Sequence, residues 1–338
     1  MRKIYLIRHG KPDFPAGSSM CLGRTELPLG AVGRMQAALL GAELSGEVEA
    51  VYSSPLSRAV QTAQALRRPI TVIDGLAEQD AGEWDGLTFD DIRARYPELY
   101  ARRAVERYLP MPGAEPDAEV LARFKLALDE AASHGGDALA VVSHASAIRL
   151  YLDSLGTGMI KIPYGSYVEL DGGRPAHIGV VPHPEPDDAL CLALLHAAGA
   201  PERVIRHCAA VAGKASELAA ALGMDARRVR AAAYLHDIAR AHPRHPEAGA
   251  GWLAELGYGE LAELVRLHHS HDGKTLNEAA VVYLADKLFI EDRPCTLAER
   301  FEASAGKCAT PEAIKKHDMR RIAAEKIATL IEGRGVKI

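Results

Sequence analysis

The sequence predicts an α/β domain, three-layered on a mostly parallel sheet, followed by an all-α domain. Three observations predict it. Short apolar runs alternate with helical spacing through residues 1–181. A proline-rich break, Pro182-His183-Pro184-Glu185-Pro186, follows. Beyond it the chain is rich in Ala, Leu, Glu and Arg, with few β-branched runs. Alternating strands and helices imply parallel strands covered by helices. Three prolines in five residues can continue neither a helix nor a central strand. The domains are therefore set at 1–182 and 187–338. A length of 338 residues suits two domains, at roughly 100–200 residues each.

The elements follow in order. Residues 4–7 are a short apolar run, read as a buried strand. Residues 29–44 have helical spacing, 49–53 read as a strand, 58–66 as a helix and 70–73 as a third strand. Residues 120–132 are helical, 138–142 form another buried strand and 145–155 a helix. Residues 167–170 and 178–181 flank Asp171-Gly172-Gly173 and read as a closing hairpin. In the second half, 189–198, 201–222, 226–239, 246–256, 260–268 and 276–289 all read as helices. Pro201 and Asp225 supply start signals. Periodicity is weak over 12–24 and 85–116, which read as loops suited to specificity.

Bulk properties exclude several classes. Apolar residues make up 48% and charged residues 25%, ordinary for a globular protein. A net charge of −5 argues against a nucleic-acid-binding surface. The five cysteines form no C-x-x-C pair, so neither a disulfide framework nor a thiolate zinc site is expected. No apolar run approaches the roughly 20 residues of a membrane span. The run at 4–7 is too short for a secretory signal. These features lead to the expectation of a cytoplasmic protein with neither nucleic acid nor membrane as partner.

Three strand ends of the first domain carry residues suited to phosphate: Arg8-His9-Gly10, Ser53-Ser54-Pro55-Leu56-Ser57-Arg58 and Ser143-His144. Ligands of open α/β sheets bind outside the carboxyl ends of strands. Helix N-termini there offer free N–H groups, and arginine offers forked donors. A neutral imidazole can attack phosphorus. A carboxylic acid can then protonate the leaving alkoxide. Glu78 is the candidate acid, with Asp80 and Glu83 as neighbouring rivals.

With these residues in place the first half resembles the histidine phosphatase, or phosphoglycerate mutase-like, superfamily. The resemblance rests on Leu6-Ile7-Arg8-His9-Gly10, on Gly23-Arg24-Thr25-Glu26-Leu27-Pro28-Leu29, and on Ser53 through Ala63. It continues in Leu76-Ala77-Glu78, Gly82-Glu83-Trp84-Asp85-Gly86 and Val142-Ser143-His144. It implies a phosphoglycerate mutase-like fold and His9 as the phosphorylated nucleophile. Arg8, Arg58 and His144 would bind the phosphoryl group, and Glu78 would donate the proton. No cofactor is implied here. Two glycines often follow the second histidine in the family; Ala145 and Ser146 stand there in this chain. The compact length and the 23–29 stretch look most like small-molecule phosphatases, including the α-ribazole phosphatase-like branch.

The second half is dense in histidine. His207 lies in one helix, His236-Asp237 ends an apolar run, and His245, His268-His269 and Asp286 follow. Imidazole and carboxylate together suit divalent transition metals. The pattern His207, His236-Asp237, Asp286 resembles the HD domain of metal-dependent phosphohydrolases. That resemblance implies a divalent metal, iron, manganese or similar, in a mononuclear or binuclear site. His245 and His268 look like the added ligands of binuclear members, with His269 competing with His268.

The leading reading is a bifunctional, two-domain phosphohydrolase acting on a small phosphorylated metabolite or nucleotide. One rival makes the HD domain a nucleotide sensor without turnover. Another makes the first domain a phosphoglycerate-type mutase.

Overall fold

The computed structural model describes residues 2–15, 17–106, 109–134, 136–158, 160–306 and 308–338. The chain forms two compact units, Met1–Pro184 and Glu185–Ile338.

The first unit is built on β1 (Lys3–Arg8), α1 (Ala31–Leu44), β2 (Ala50–Ser53), α2 (Ser57–Gln64), β3 (Ile70–Val72), α3 (Phe89–Arg95) and α4 (Pro97–Val105). It continues with α5 (Asp117–Ser133), β4 (Ala138–Ser143), α6 (Ala145–Ser154), β5 (Tyr167–Asp171) and β6 (Arg174–Val180). The sheet order is β3-β2-β4-β1-β5-β6. β1 pairs parallel with β4, and β2 pairs parallel with both β4 and β3. β5 pairs antiparallel with β1 and with β6, and β6 closes one edge.

Strand alternation sorts the core into two layers. Leu6, Tyr52, Leu139 and Val141 face Val120 and Phe124 of α5 and Ile148 and Leu152 of α6. Tyr5, Ile7, Val51, Ala140 and Val142 face Leu40 and Leu44 of α1 and Ala59 and Ala63 of α2. Both faces are covered, which is why β1 and β4 read as unbroken apolar runs. Burying apolar surface at roughly 25 cal/mol per Å² on two faces holds the central strands rigidly. Their carboxyl ends deliver Arg8-His9, Ser53-Ser54 and Ser143-His144 side by side.

The second unit is helical: α7 (Asp188–Ala198), α8 (Glu202–Ala221), α9 (Ala226–Leu235), α10 (His245–Glu255), α11 (Gly259–Leu267) and α12 (Glu278–Lys287). A small hairpin, β7 (Phe289–Ile290) and β8 (Arg293–Pro294), leads to α13 (Leu297–Ala305) and α14 (Pro311–Glu332). Asp225 caps α9 by accepting from the N–H groups of Arg227 and Arg228. Gly199 ends α7 in the left-handed conformation, φ 82°. α8 packs on α9 and α12, and α10 on α11.

Two segments differ from expectation. Residues 85–116 contain α3 and α4 in addition to loops. Both helices are short and α4 buries none of its residues, so they lack the long apolar stripe that signals a helix. The helix expected over 226–239 stops at Leu235, and His236-Asp237 stand in the turn that follows. Ala16, Arg107 and Tyr108, within the two segments read as loops, lie outside the described residues.

Candidate functional site

In the first unit, β1 runs directly into His9. Its backbone N–H donates to Ser143 O (3.1 Å), which ties it to the end of β4. The next residue must be glycine: a Cβ on Gly10 would stand 2.3 Å from Gly33 O. The His9 Nδ1–H donates to Gly10 O at 2.7 Å, because a carbonyl only accepts. Nε2 is therefore the nitrogen left with a free lone pair. Burial, then Arg58, then Arg8 hold the His9 pKa well below the ordinary histidine value. His9 is thus neutral and directed.

The other candidates surround it. His144 caps α6, its ring centroid 4.9 Å from that of His9. Its Nε2 lies 2.7 Å from Ser54 Oγ, while Nδ1 is buried without a partner. Burial, then His9, Arg58 and Arg8, keep it neutral as well. Arg58 is 0% exposed. It donates to Thr25 O (2.9 Å) and Gly23 O (2.8 Å), and its Nε is unpartnered. Arg8 donates to Ile162 O (2.6 Å) and stacks over Tyr164, 3.6 Å from the ring centroid. Glu78 is buried, and its carboxylate accepts from the N–H groups of Gln79 (2.9 Å), Ser146 (3.1 Å) and Ala147 (3.2 Å). The last two belong to the first turn of α6, a favourable seat for a carboxylate.

Arg8, His9 and Glu78 line one cavity of about 570 Å³. The rival acids do not line it. Asp80 is exposed and accepts from Gly82 N–H, and Glu83 accepts from the Tyr96 hydroxyl. Sequence reasoning missed Tyr164 and Arg123. Arg123 donates to the carbonyls of Gly75 (2.8 Å), Ala77 (2.7 Å) and Glu78 (3.0 Å), and so braces the loop that carries Glu78. A lone arginine on an amphipathic helix gives no signal of such a task.

In the second unit, helix ends bring imidazoles and carboxylates together. His207 Nε2 lies 3.1 Å from Asp286 Oδ1, and His236 Nε2 lies 3.6 Å from the same oxygen. Asp237 Oδ1 lies 3.2 Å from His245 Nε2 and 3.7 Å from His268 Nε2. Its Oδ2 lies 3.8 Å from His236 Nε2. Two donor sets result, His207/His236/Asp237 and His245/His268/His269. Within each set the ligand atoms lie within 4.8 Å of one another. The sequence posed His268 and His269 as alternatives; both stand in the second set. His271 stands apart, against Tyr283.

The comparisons with known proteins agree with both halves. The family described as "Histidine phosphatase superfamily (branch 1)" matches residues 4–166, and the family described as "HD domain" matches residues 204–289. Phosphoserine phosphatase 1 of Hydrogenobacter thermophilus is 33% identical over 170 residues, 48% of this chain and 80% of that protein. The chain belongs to the histidine phosphatase superfamily. Its first unit is a phosphatase domain of that superfamily, and an HD domain follows in the same chain. Bifunctional protein Rv2228c of Mycobacterium tuberculosis is 34% identical over 157 residues, 44% of this chain. This histidine phosphatase spans only 43% of that relative's length. Among solved structures, "Bacillus stearothermophilus YhfR" is 26% identical with a TM-score of 0.47, covering 53% of this chain and 96% of that one.

HD domains commonly bind divalent metal, and the residues of this histidine phosphatase fit one. His236 Nε2, Asp237 Oδ1 and His268 Nε2 are buried without hydrogen-bond partners. Buried polar atoms rarely go without a partner, and a bound ion would supply one. His207, His236 and His268 each donate Nδ1–H to a backbone carbonyl: Glu291 (2.6 Å), Ala233 (2.7 Å) and Val265 (2.5 Å). That fixes the tautomer and presents Nε2, the usual support for a metal-binding histidine. Lys287 Nζ holds Asp286 Oδ2 at 2.7 Å and leaves Oδ1 toward His207 and His236. No helix of the described chain is long and apolar enough to cross a membrane.

Proposed function

We propose that the protein is a phosphohydrolase with two separate centres, one metal-free around His9 and one metal-dependent in the HD domain. The observation that carries the reading is the state of His9: buried, neutral, held through Nδ1, and lining a cavity with Arg8 and Glu78. Arg8, Arg58 and the free Nδ1 of His144 bind the phosphoryl oxygens of a small phosphomonoester. His9 Nε2 attacks phosphorus, the phosphorus–ester oxygen bond breaks, and the alkoxide leaves with the electron pair. Protonated Glu78 gives that alkoxide its proton. Water then attacks phosphorus, the P–N bond breaks, Glu78 takes the water proton, and inorganic phosphate departs.

In the HD domain, His207, His236, Asp237 and Asp286, with His245, His268 and His269, would hold one or two divalent ions. Such ions polarise a phosphoryl group and lower the pKa of bound water. Asp237, between both donor sets, ties them together, and Lys287 orients Asp286.

The test is phosphate release from a panel of phosphomonoesters and nucleotides, with and without EDTA. Activity that survives chelation should vanish in His9→Ala and persist in Asp237→Ala. Activity lost on chelation should show the reverse. If both variants leave every activity untouched, the two-centre reading fails. Transfer to a second hydroxyl without phosphate release would make the first unit a mutase. Metal binding without any chelator-sensitive turnover would make the HD domain a sensor.

A further inference from the structure

The catalytic groups around His9 leave part of the cavity unassigned. Six charged side chains line it: Arg8, Glu78, Arg103, Asp117, Arg149 and Asp153. Arg8 and Glu78 belong to the phosphoryl end. Arg103, from α4, is half-buried beside Trp84, its guanidinium carbon 5.4 Å from the ring, and makes no hydrogen bond or ion pair with a described residue. Arg149, from α6, donates Nε to Ala145 O (3.1 Å) and one terminal nitrogen to Ser146 Oγ (3.2 Å), which leaves N–H groups to spare. The Trp84 indole N–H is buried without an acceptor. The acids are better occupied. Asp117 accepts from Gln79 Nε2 at 2.7 Å, and Asp153 is engaged within the chain.

The charges acting on His9 are Arg58 and Arg8. Tyr164, Glu78 and then Arg149 act on Arg8, while Asp117 and, more weakly, Arg149 act on Arg103. Arg8, Arg103 and Arg149 all line this one cavity. With no hydrogen-bond acceptor among the described residues, Arg103 keeps its forked donors free for an anionic ligand.

We infer that Arg103 and Arg149 form a second anion subsite, so that the substrate is a phosphomonoester whose alcohol carries a further carboxylate or phosphate. This inference rests on the His9 reading of the cavity. It also narrows the substrate away from the α-ribazole phosphatase-like expectation, since the alcohol of α-ribazole phosphate bears no second acid. Forked guanidinium donors suit either acid group, and the apolar wall of Met20, Phe89 and Met111 covers the carbon skeleton between the two anions.

The test uses the full chain with EDTA present and two substrate pairs of equal skeleton. They are 3-phosphoglycerate against glycerol 1-phosphate, and 6-phosphogluconate against glucitol 6-phosphate. The readout is kcat/KM, or Ki against p-nitrophenyl phosphate turnover where a compound is not hydrolysed. In at least one pair the acid-bearing member should be preferred about tenfold or more, the scale of one charge-assisted contact. Arg103→Met should remove that preference and leave the partner lacking the acid unchanged. Equal constants within both pairs, or a preference that survives Arg103→Met, overturn the inference while leaving the His9 reading standing. Turnover of p-nitrophenyl phosphate that His9→Ala does not reduce overturns both.

Discussion

Asp85 and Arg58 grip the same turn from opposite sides. The Asp85 carboxylate accepts from the N–H groups of Gly23 (2.8 Å), Arg24 (2.8 Å) and Thr25 (2.9 Å). Arg58 donates to the carbonyls of Gly23 and Thr25. The buried guanidinium is thus placed by backbone that a carboxylate holds. Asp85→Asn puts an amide N–H₂ where N–H donors converge, and should cost about 1–3 kcal/mol of local order. The expected outcome is a folded protein with EDTA-resistant kcat/KM about tenfold lower and a weaker Ki for inorganic phosphate. An unchanged phosphate Ki would show that Asp85 does not position Arg58.

Arg123 has the corresponding task for Glu78. Its guanidinium serves three loop carbonyls and pairs with Glu115 at 2.6 Å. Arg123→Met leaves those acceptors without donors, so stability should fall by about 1–3 kcal/mol. kcat should fall more than KM rises, because the acid is misplaced and the phosphoryl seat is not. A loss confined to KM would contradict this role.

The two buried histidines of the first unit set a pH dependence. Burial is the largest cause holding both His9 and His144 well below the usual value. Below about pH 6.5 the unfolded chain takes up protons that the folded unit refuses, so stability falls as pH falls. The slope approaches roughly 1.4 kcal/mol per pH unit for each histidine. Urea unfolding of Trp252→Phe, in which Trp84 alone reports, measures it. NMR should show neither imidazole titrating near 6.5. A stability that is flat between pH 7 and 5 would refute the assignment.

For the HD domain, dialysed protein should retain up to two divalent ions per chain by elemental analysis. Asp237→Asn should lose them, since it stands between both donor sets. EDTA should lower the thermal midpoint of wild type, because a ligand that binds only the folded state stabilises it. A midpoint indifferent to EDTA, with no metal retained, contradicts a metal centre.

The sequence disclosed those features that local pattern encodes. β1 and β4 are legible because both faces are buried, and His9 and His144 because they sit at the ends of those strands. His236-Asp237 is legible because it interrupts an apolar helix. α3 and α4 were missed because a short helix with almost no buried face has no periodic stripe to read. Asp85, Arg123 and Arg103 were not singled out for another reason: each works through a long-range contact, and no spacing in the sequence records it. The sequence left His268 and His269 as alternatives; both follow α11 in a turn and stand in one donor set.

In the proposed reaction His9 carries the phosphoryl group between two half-reactions. The most direct measurement is rapid quenching of the EDTA-treated enzyme during turnover, followed by peptide mapping at alkaline pH by mass spectrometry. A transient, acid-labile phosphate should appear on the His9 peptide and be absent from His9→Ala. A phosphorylated residue other than His9, or turnover with no phosphoenzyme at any time point, would contradict it.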